Sequence, residues 1–263
     1  NDGSYSNAGH ARIYSWDGSS WSQLGSDIDG EAVDDYSGFS VSLDSDGNRV
    51  AIGAHTNDGN GTDAGHVRIY EWSGSSWSQL GSDIDGEAAG DAFGYSVSMD
   101  SDGDRVAVGG YGNDGNGNNS GHVRVYDWDG SSWSQQGSDI DGEAALDYFG
   151  ISVSLDSDGD RMVIGSSSND GNGSNSGHAR IYEWSGSSWS QLGSDIDGEA
   201  AGDQFGYSVS MDSNGDRVAI GAPTNDGNGE DAGHIRVHDV IHQEVYTATF
   251  TPSAEGATTI DVA

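Results

Sequence analysis

Apolar and polar residues alternate along short stretches of this chain, and the stretches recur in a fixed order. Residues 93–100, FGYSVSMD, place Tyr95, Val97 and Met99 on one side of an extended strand. A short SDGD turn leads to a second run, RVAVGG, at 105–110. A longer polar loop then gives way to GHVRVYDW at 121–128, where Val123 and Val125 point one way and Arg124 and Tyr126 the other. A DGSS turn introduces the fourth run, WSQQGSDI, at 133–140. Each run is bounded by Gly, Asp, Asn or Ser, the residues that make tight turns, and helical periodicity is missing over any useful length. The pattern predicts a four-stranded antiparallel meander.

That unit repeats every 56 residues. The Gly-His pairs ending at His10, His66, His122, His178 and His234 keep the spacing, as do the Trp pairs 16/21, 72/77, 128/133 and 184/189. The nine arginines fall into two series on the same period: Arg12, Arg68, Arg124, Arg180 and Arg236, and Arg49, Arg105, Arg161 and Arg217. Insertions and deletions between units would break this register, so each unit meets the same steric demand. Tandem four-stranded units of roughly this length predict an all-β fold, a β-propeller of antiparallel blades. A β-helix is the structural rival, but its rungs are shorter and lack such hairpins. Small residues such as Ala51 and Gly53 are expected in crowded strands near the axis, with Trp outside.

Charge narrows the function. Nine arginines and no lysine stand against 44 acidic residues, for a formal net charge of −35. Such a chain repels nucleic acid and anionic lipid, and its self-repulsion favours counter-ions. With no Cys, disulfides, thiolate metal sites and thiol catalysis are excluded. No apolar run approaches the ~20 residues of a membrane span. The sequence starts without Met and within a unit, which leads us to expect that the natural N-terminus lies upstream.

DAFGYSVSMDSDGDRVAVGG from Asp91 and DQFGYSVSMDSNGDRVAIGAP from Asp203 resemble the FG-GAP repeat of integrin α-subunit propellers, and more closely that of microbial and algal surface proteins. The residues that carry the resemblance are Phe93-Gly94, Phe149-Gly150 and Phe205-Gly206, with Gly221-Ala222-Pro223. The first copy departs, with Ser37-Gly38. The resemblance implies an extracellular propeller used in adhesion or ligand binding. The propeller is expected over 1–240, with four to five blades of which the first and last are partial, unless the chain is an excerpt of a longer array. Residues 241–263 read as a β tail resembling the start of an immunoglobulin-like module, or as a linker or edge strand.

The same family holds Ca²⁺ in the hairpin between its first two strands. The matching residues are Asp100, Asp102 and Asp104, and Asp156, Asp158 and Asp160. The match is shortened at its end, and an ordinary Asp-Gly turn explains the same residues. The NDGNG loops have similar spacing and the same plain alternative. The Trp pairs flank a four-residue turn and are expected to meet across it, as a packing clasp or as a sugar platform. The recurring His reads as a structural hydrogen-bonder, and the arginines as partners of nearby carboxylates. Asn60, Asn118 and Asn172 match the N-glycosylation pattern, which matters only for an exported eukaryotic protein. No catalytic constellation is present, and near-identical copies in every unit argue against an active site. The expected role is a non-enzymatic, extracellular structural or adhesive module of a larger surface or filament protein, possible Ca²⁺ included. Its partners would be surface or matrix proteins, glycans, or further copies in an assembly. The alternatives are a multivalent carbohydrate-binding lectin and, third, an accessory domain of a secreted hydrolase.

Overall fold

The structure, a computed structural model, describes residues 5–240. The sequence reading of a tail over 241–263 lies outside the described residues. Those described form strands and turns only. Three complete units follow one plan. In the middle one, Phe93–Met99, Arg105–Gly110 and His122–Trp128 run antiparallel in sequence order. The units over Ser40–Leu43 to Ile84–Asp85 and Phe149–Leu155 to Ile196–Asp197 repeat it. A partial unit, His10–Ala11 to Ile28–Asp29, precedes them, and a three-stranded one, Ser208–Met211, Arg217–Ala222 and His234–Asp239, follows.

The fourth strand departs from the sequence pattern. It is split into Trp133–Gln135, which pairs with Tyr126 to Trp128, and Ile140–Asp141, which pairs with His122 and Val123. Between them the Gln136 amide still bonds Val125 O at 2.8 Å, and the chain then loops out. The excursion turns Asp139 inward to Arg124, with which it forms two hydrogen bonds. The register shifts by two residues between the two pairings, so the alternation of faces is preserved across the excursion.

Each unit buries one sheet face against its predecessor and the other against its successor. Val123 and Val125 pack with Phe149, Leu155 and Ile164 of the next unit. Tyr126 and Val106 pack with Val67, Ile69 and Ile84 of the previous one. At the centre of the seam the backbones nearly touch. A methyl group at Gly109 would overlap the carbonyl oxygen of Gly150 in the next unit. That carbonyl accepts from Ser96 Oγ at 2.8 Å, and Ser40 and Ser152 repeat the bond to Gly94 and Gly206. Equivalent residues also bond directly: the Ser45 amide to Ser101 O and the Ser101 amide to Ser157 O at 3.0 Å, and the Ser157 amide to Ser213 O at 3.1 Å.

The Phe-Gly pair has its place in this seam. Phe93 is fully buried, edge-on to His122 and Tyr126, and its amide bonds Ala64 O of the preceding unit at 3.0 Å. Gly94 follows at φ +85°, where an added Cβ would lie 2.5 Å from His66 O. The pair therefore needs a large apolar ring and then no side chain at all. Where the first copy has Ser37, the glycine is kept.

The outermost faces differ from the internal ones. Ile235 and Val237 are 73% and 66% exposed, whereas their equivalents Val123 and Val125 are 0% and 1%. Among the described residues, His234–Asp239 pairs only with Arg217–Ala222, so no strand of the first partial unit completes the last sheet.

The seam yields a direct comparison. Gly109→Ala should lower stability by about 1–3 kcal/mol, the usual cost of overpacking. Gly221→Ala, at the equivalent place in the last unit, faces only its own Ser208 and should cost much less. Urea melts of the two variants measure the difference.

Candidate functional site

Two kinds of polar arrangement recur where units meet. The first is a buried charge cluster. Arg124 leaves the third strand on the face opposite Val123 and is 8% exposed. Its Nε and Nη2 donate to both oxygens of Asp139 at 3.0 and 2.9 Å, and Nη2 also contacts Glu87 of the preceding unit. Arg180 repeats the arrangement with Asp195 and Glu143. Arg68 contacts Glu31 at 3.1 Å and Asp29 O at 2.9 Å. Burial would raise the pKa of Asp139, but the bonds from Arg124 and Gln135 outweigh it and hold the carboxyl below its ordinary range. Beside them His122 is fully buried, with Nδ1 3.9 Å from Asp139 Oδ2, and burial lowers its pKa, favouring the neutral ring.

Glu87, His122 and Asp139 bring one potential ligand atom each within 4.8 Å of one another, as do Glu31, His66 and Asp83, and Glu143, His178 and Asp195. A metal would need the carboxylate lone pairs that Arg124 already holds. The guanidinium is the cation of this site, and its fork suits two carboxylates at once. The second arginine series also crosses the seam. Arg105 binds Asp127 through two bonds of 2.6 and 2.7 Å, and its Nη1 reaches Gly159 O of the next unit at 2.9 Å.

That carbonyl belongs to the hairpin singled out for calcium. There Asp100 Oδ1 accepts the amides of Asp104 and Arg105, each at 3.1 Å, and Asp156 accepts that of Arg161. Asp100 and Asp156 are buried, while Asp102, Asp104, Asp158 and Asp160 are exposed. Among the described residues no three of these carboxylates converge, whereas Ca²⁺ takes 6–8 oxygens. These residues fit the ion poorly; the buried Asp caps its own turn. Burial, assisted by the neighbouring Asp104 or Asp160, pushes Asp100 and Asp156 up to about 6.

The Trp pairs meet as expected, with ring centroids 5.3 to 5.5 Å apart. They also reach backwards: Trp77 Nε1 donates to Leu24 O and Trp133 Nε1 to Leu80 O, both at 2.8 Å. These two pairs clasp the preceding unit, whereas the Trp189 indole N–H is buried without such a partner. Beneath the clasp lies the second recurring feature, a rim cavity. One, of about 380 Å³, is lined by Asp83, Asp85, Tyr126, Ser131, Ser132 and Trp133. Its counterpart, about 370 Å³, is lined by Asp27, Asp29, Tyr70, Ser75, Ser76 and Trp77.

The candidate glycosylation residues sit differently from one another. Asn60 and Asn172 donate from Nδ2 to Gly86 O and Gly198 O at 2.8 Å, tying the loop to the crossover. Asn118 accepts from Asn119 Nδ2, and its partner Ser120 is fully buried with Oγ bonded to Asn113 O. The sequence reading did not anticipate that the Glu31, Glu87, Glu143 and Glu199 series pairs with arginines across the seam. Its signal was a glutamate on the same 56-residue period as the arginines.

The sequence model of the FG-GAP repeat matches residues 84–126, 133–182 and 196–237, together more than half the chain. The chain belongs to the FG-GAP repeat family. No curated protein matches this FG-GAP chain significantly. Among solved structures, hydrazine synthase of Kuenenia stuttgartiensis is similar at 12% identity, with a TM-score of 0.49, over 77% of this chain and 46% of that one. The FG-GAP chain thus spans less than half of the hydrazine synthase chain.

The hairpin carboxylates set a pH dependence. A folded pKa of about 6 for Asp100 and Asp156 lies above the unfolded value of about 3.9. The folded state therefore holds extra protons between these values, and each group costs stability as pH rises through that window. Asp100→Asn with Asp156→Asn keeps the Oδ1 acceptor and removes the charge. The double variant should melt higher than the parent at pH 8, with the difference vanishing near pH 4, in paired thermal melts.

Proposed function

We propose that this FG-GAP chain is a non-enzymatic structural or adhesive module of a larger extracellular surface or filament protein. One observation carries the reading: the chemistry-bearing side chains recur evenly. Arg124, Asp139, Glu87 and His122 have counterparts at the neighbouring seams, bonded to one another rather than presented to a substrate. A reaction centre would set one unit apart from the rest. The family's usual extracellular setting supports the same reading. So does a net charge of −35, which favours neutral or basic protein surfaces and glycans over nucleic acid and anionic lipid. Among the described residues no helix is long and apolar enough to cross a membrane.

A second reading, multivalent carbohydrate binding, is favoured by the repeated rim cavity with its aromatic and carboxylate lining. It is compatible with the first, since a surface module bearing several equal sugar sites is an adhesin.

Antibodies to the chain should label intact, unpermeabilised cells or extracellular material of the source organism, and mild protease treatment of those cells should release it. Labelling only after permeabilisation overturns the reading. The reading does not call on calcium at the hairpins, whose carboxylates do not converge. Thermal melting in millimolar Ca²⁺ and in excess chelator should give the same midpoint, and a higher midpoint with calcium would reveal a bound ion.

A further inference from the structure

We infer that the rim cavities are binding sites for an uncharged pyranose, three to a chain, each formed by two consecutive units. The inference deepens the adhesive reading and rests on it for its biological meaning. The aromatic wall comes from the later unit. Trp133 spends its indole N–H on Leu80 O, so the cavity is offered the ring rather than a donor. Tyr126 stands beside it. Such a wall suits the C–H face of a sugar ring.

The polar wall is suited to hydroxyl groups. Asp85 accepts no side-chain hydrogen bond among the described residues, and neither does its counterpart Asp29. A carboxylate free to accept makes strong, charge-assisted bonds to O–H donors. Ser131 and Ser132 already donate to Asp129 at 2.8 and 3.2 Å, which leaves their lone pairs as further acceptors. The cavity thus gathers acceptors opposite a ring, and a polyol is rich in donors with an apolar face. The volumes, about 380 and 370 Å³, lie at the small end of ligand sites, where one or two sugar residues belong.

Charge selects among sugars. No Arg, Lys or His is among the lining residues of either cavity, so uronates, sialic acids and sulfated or phosphorylated sugars meet carboxylates there, with Arg12 and His10 adjoining one cavity only through Asp27 and Asp29. A cationic ligand is less favoured, because the other aspartate is already engaged. Asp27 is held by Arg12 through bonds of 2.9 and 2.6 Å, and Asp83 accepts Gln79 Nε2 at 2.6 Å.

The count of three follows from the seams. Asp139, Asp141, Tyr182, Ser187, Ser188 and Trp189 repeat the same residue types where the next two units meet, with the difference that the Trp189 indole N–H lacks the backbone partner that Trp77 and Trp133 have. There a Cβ at Gly137 would lie 3.1 Å from Trp184, so the same two units adjoin. At the following seam Gly193 has nothing within 4 Å, because no Trp pair succeeds it.

The test is calorimetric and saturation-transfer NMR titration of the full chain with methyl glycosides of glucose, galactose, mannose and N-acetylglucosamine, each up to tens of millimolar. At least one should bind in roughly the millimolar range with a stoichiometry of three. Asp85→Ala should reduce three sites to two. The triple change Asp29→Ala, Asp85→Ala and Asp141→Ala should abolish binding while circular dichroism and the melting midpoint show the fold retained. Glucuronic acid should not bind. The inference is overturned if none of the glycosides binds, if the triple variant binds as the parent does, or if choline or lysine amide saturates the sites in place of sugar. Loss of the sugar site with surface labelling intact removes this inference and leaves the structural module standing. Intracellular labelling with sugar binding intact does the reverse.

Discussion

Consecutive units approach one another through their backbones. Gly109 lies against the carbonyl of Gly150, and Ser96 bonds that same oxygen from the side. A contact of this kind has little tolerance, because a peptide unit cannot change rotamer to relieve a clash. It fixes the spacing of the sheets and the residue types beside it, with Ala and Gly in the second strand and Ser in the first. It also accounts for the unbroken period. An inserted residue would shift every polar and apolar position to the wrong face of a strand.

The spacing then decides where charge resides. With 44 acidic residues and nine arginines, the chain has few internal cations, and it places most of them at the joints between sheets, Arg12 and Arg217 excepted. Arg124 joins a carboxylate of its own unit to one from the unit before, and Arg105 reaches a backbone carbonyl of the unit after. For pairs of this kind the cost of desolvation offsets much of the Coulomb gain, so they add little net stability. Many of the remaining carboxylates are turn caps. Asp91 accepts the amides of Glu87 and Ala88, and Asp114 that of Asn119. An acidic composition that suggested bound cations is to a large degree the composition of a chain made of turns.

Much of the fold was legible in the sequence because it is local. Alternation in 93–100 and 105–110 fixes strand faces, and Asp-Gly fixes the hairpin between them. The pairing of Trp128 with Trp133 was readable because both flank one short turn. Contacts between units were not legible in the same way. Nothing near Glu87 announces that its partner is Arg124, since the two belong to different units and are brought together only by the packing of one sheet on the next. The split of the outer strand was hidden for a related reason: WSQQGSDI alternates well enough for one strand, and a two-residue shift of register leaves that alternation intact. The role of Asp100 was masked by chemistry, because a carboxylate that caps a turn and one that holds a cation use the same residue and the same spacing.

The seams also bear on how such a chain changes over generations. Every bond across a joint, from Ser45 to Ser101 or from Arg49 to Gly103, links neighbouring units only. Removing or duplicating one whole period would leave each surviving joint with its proper partners. Recombination between near-identical coding segments therefore alters the number of units without spoiling any of them. Length becomes a trait that selection can adjust in steps, with each added unit supplying a joint identical to those already present.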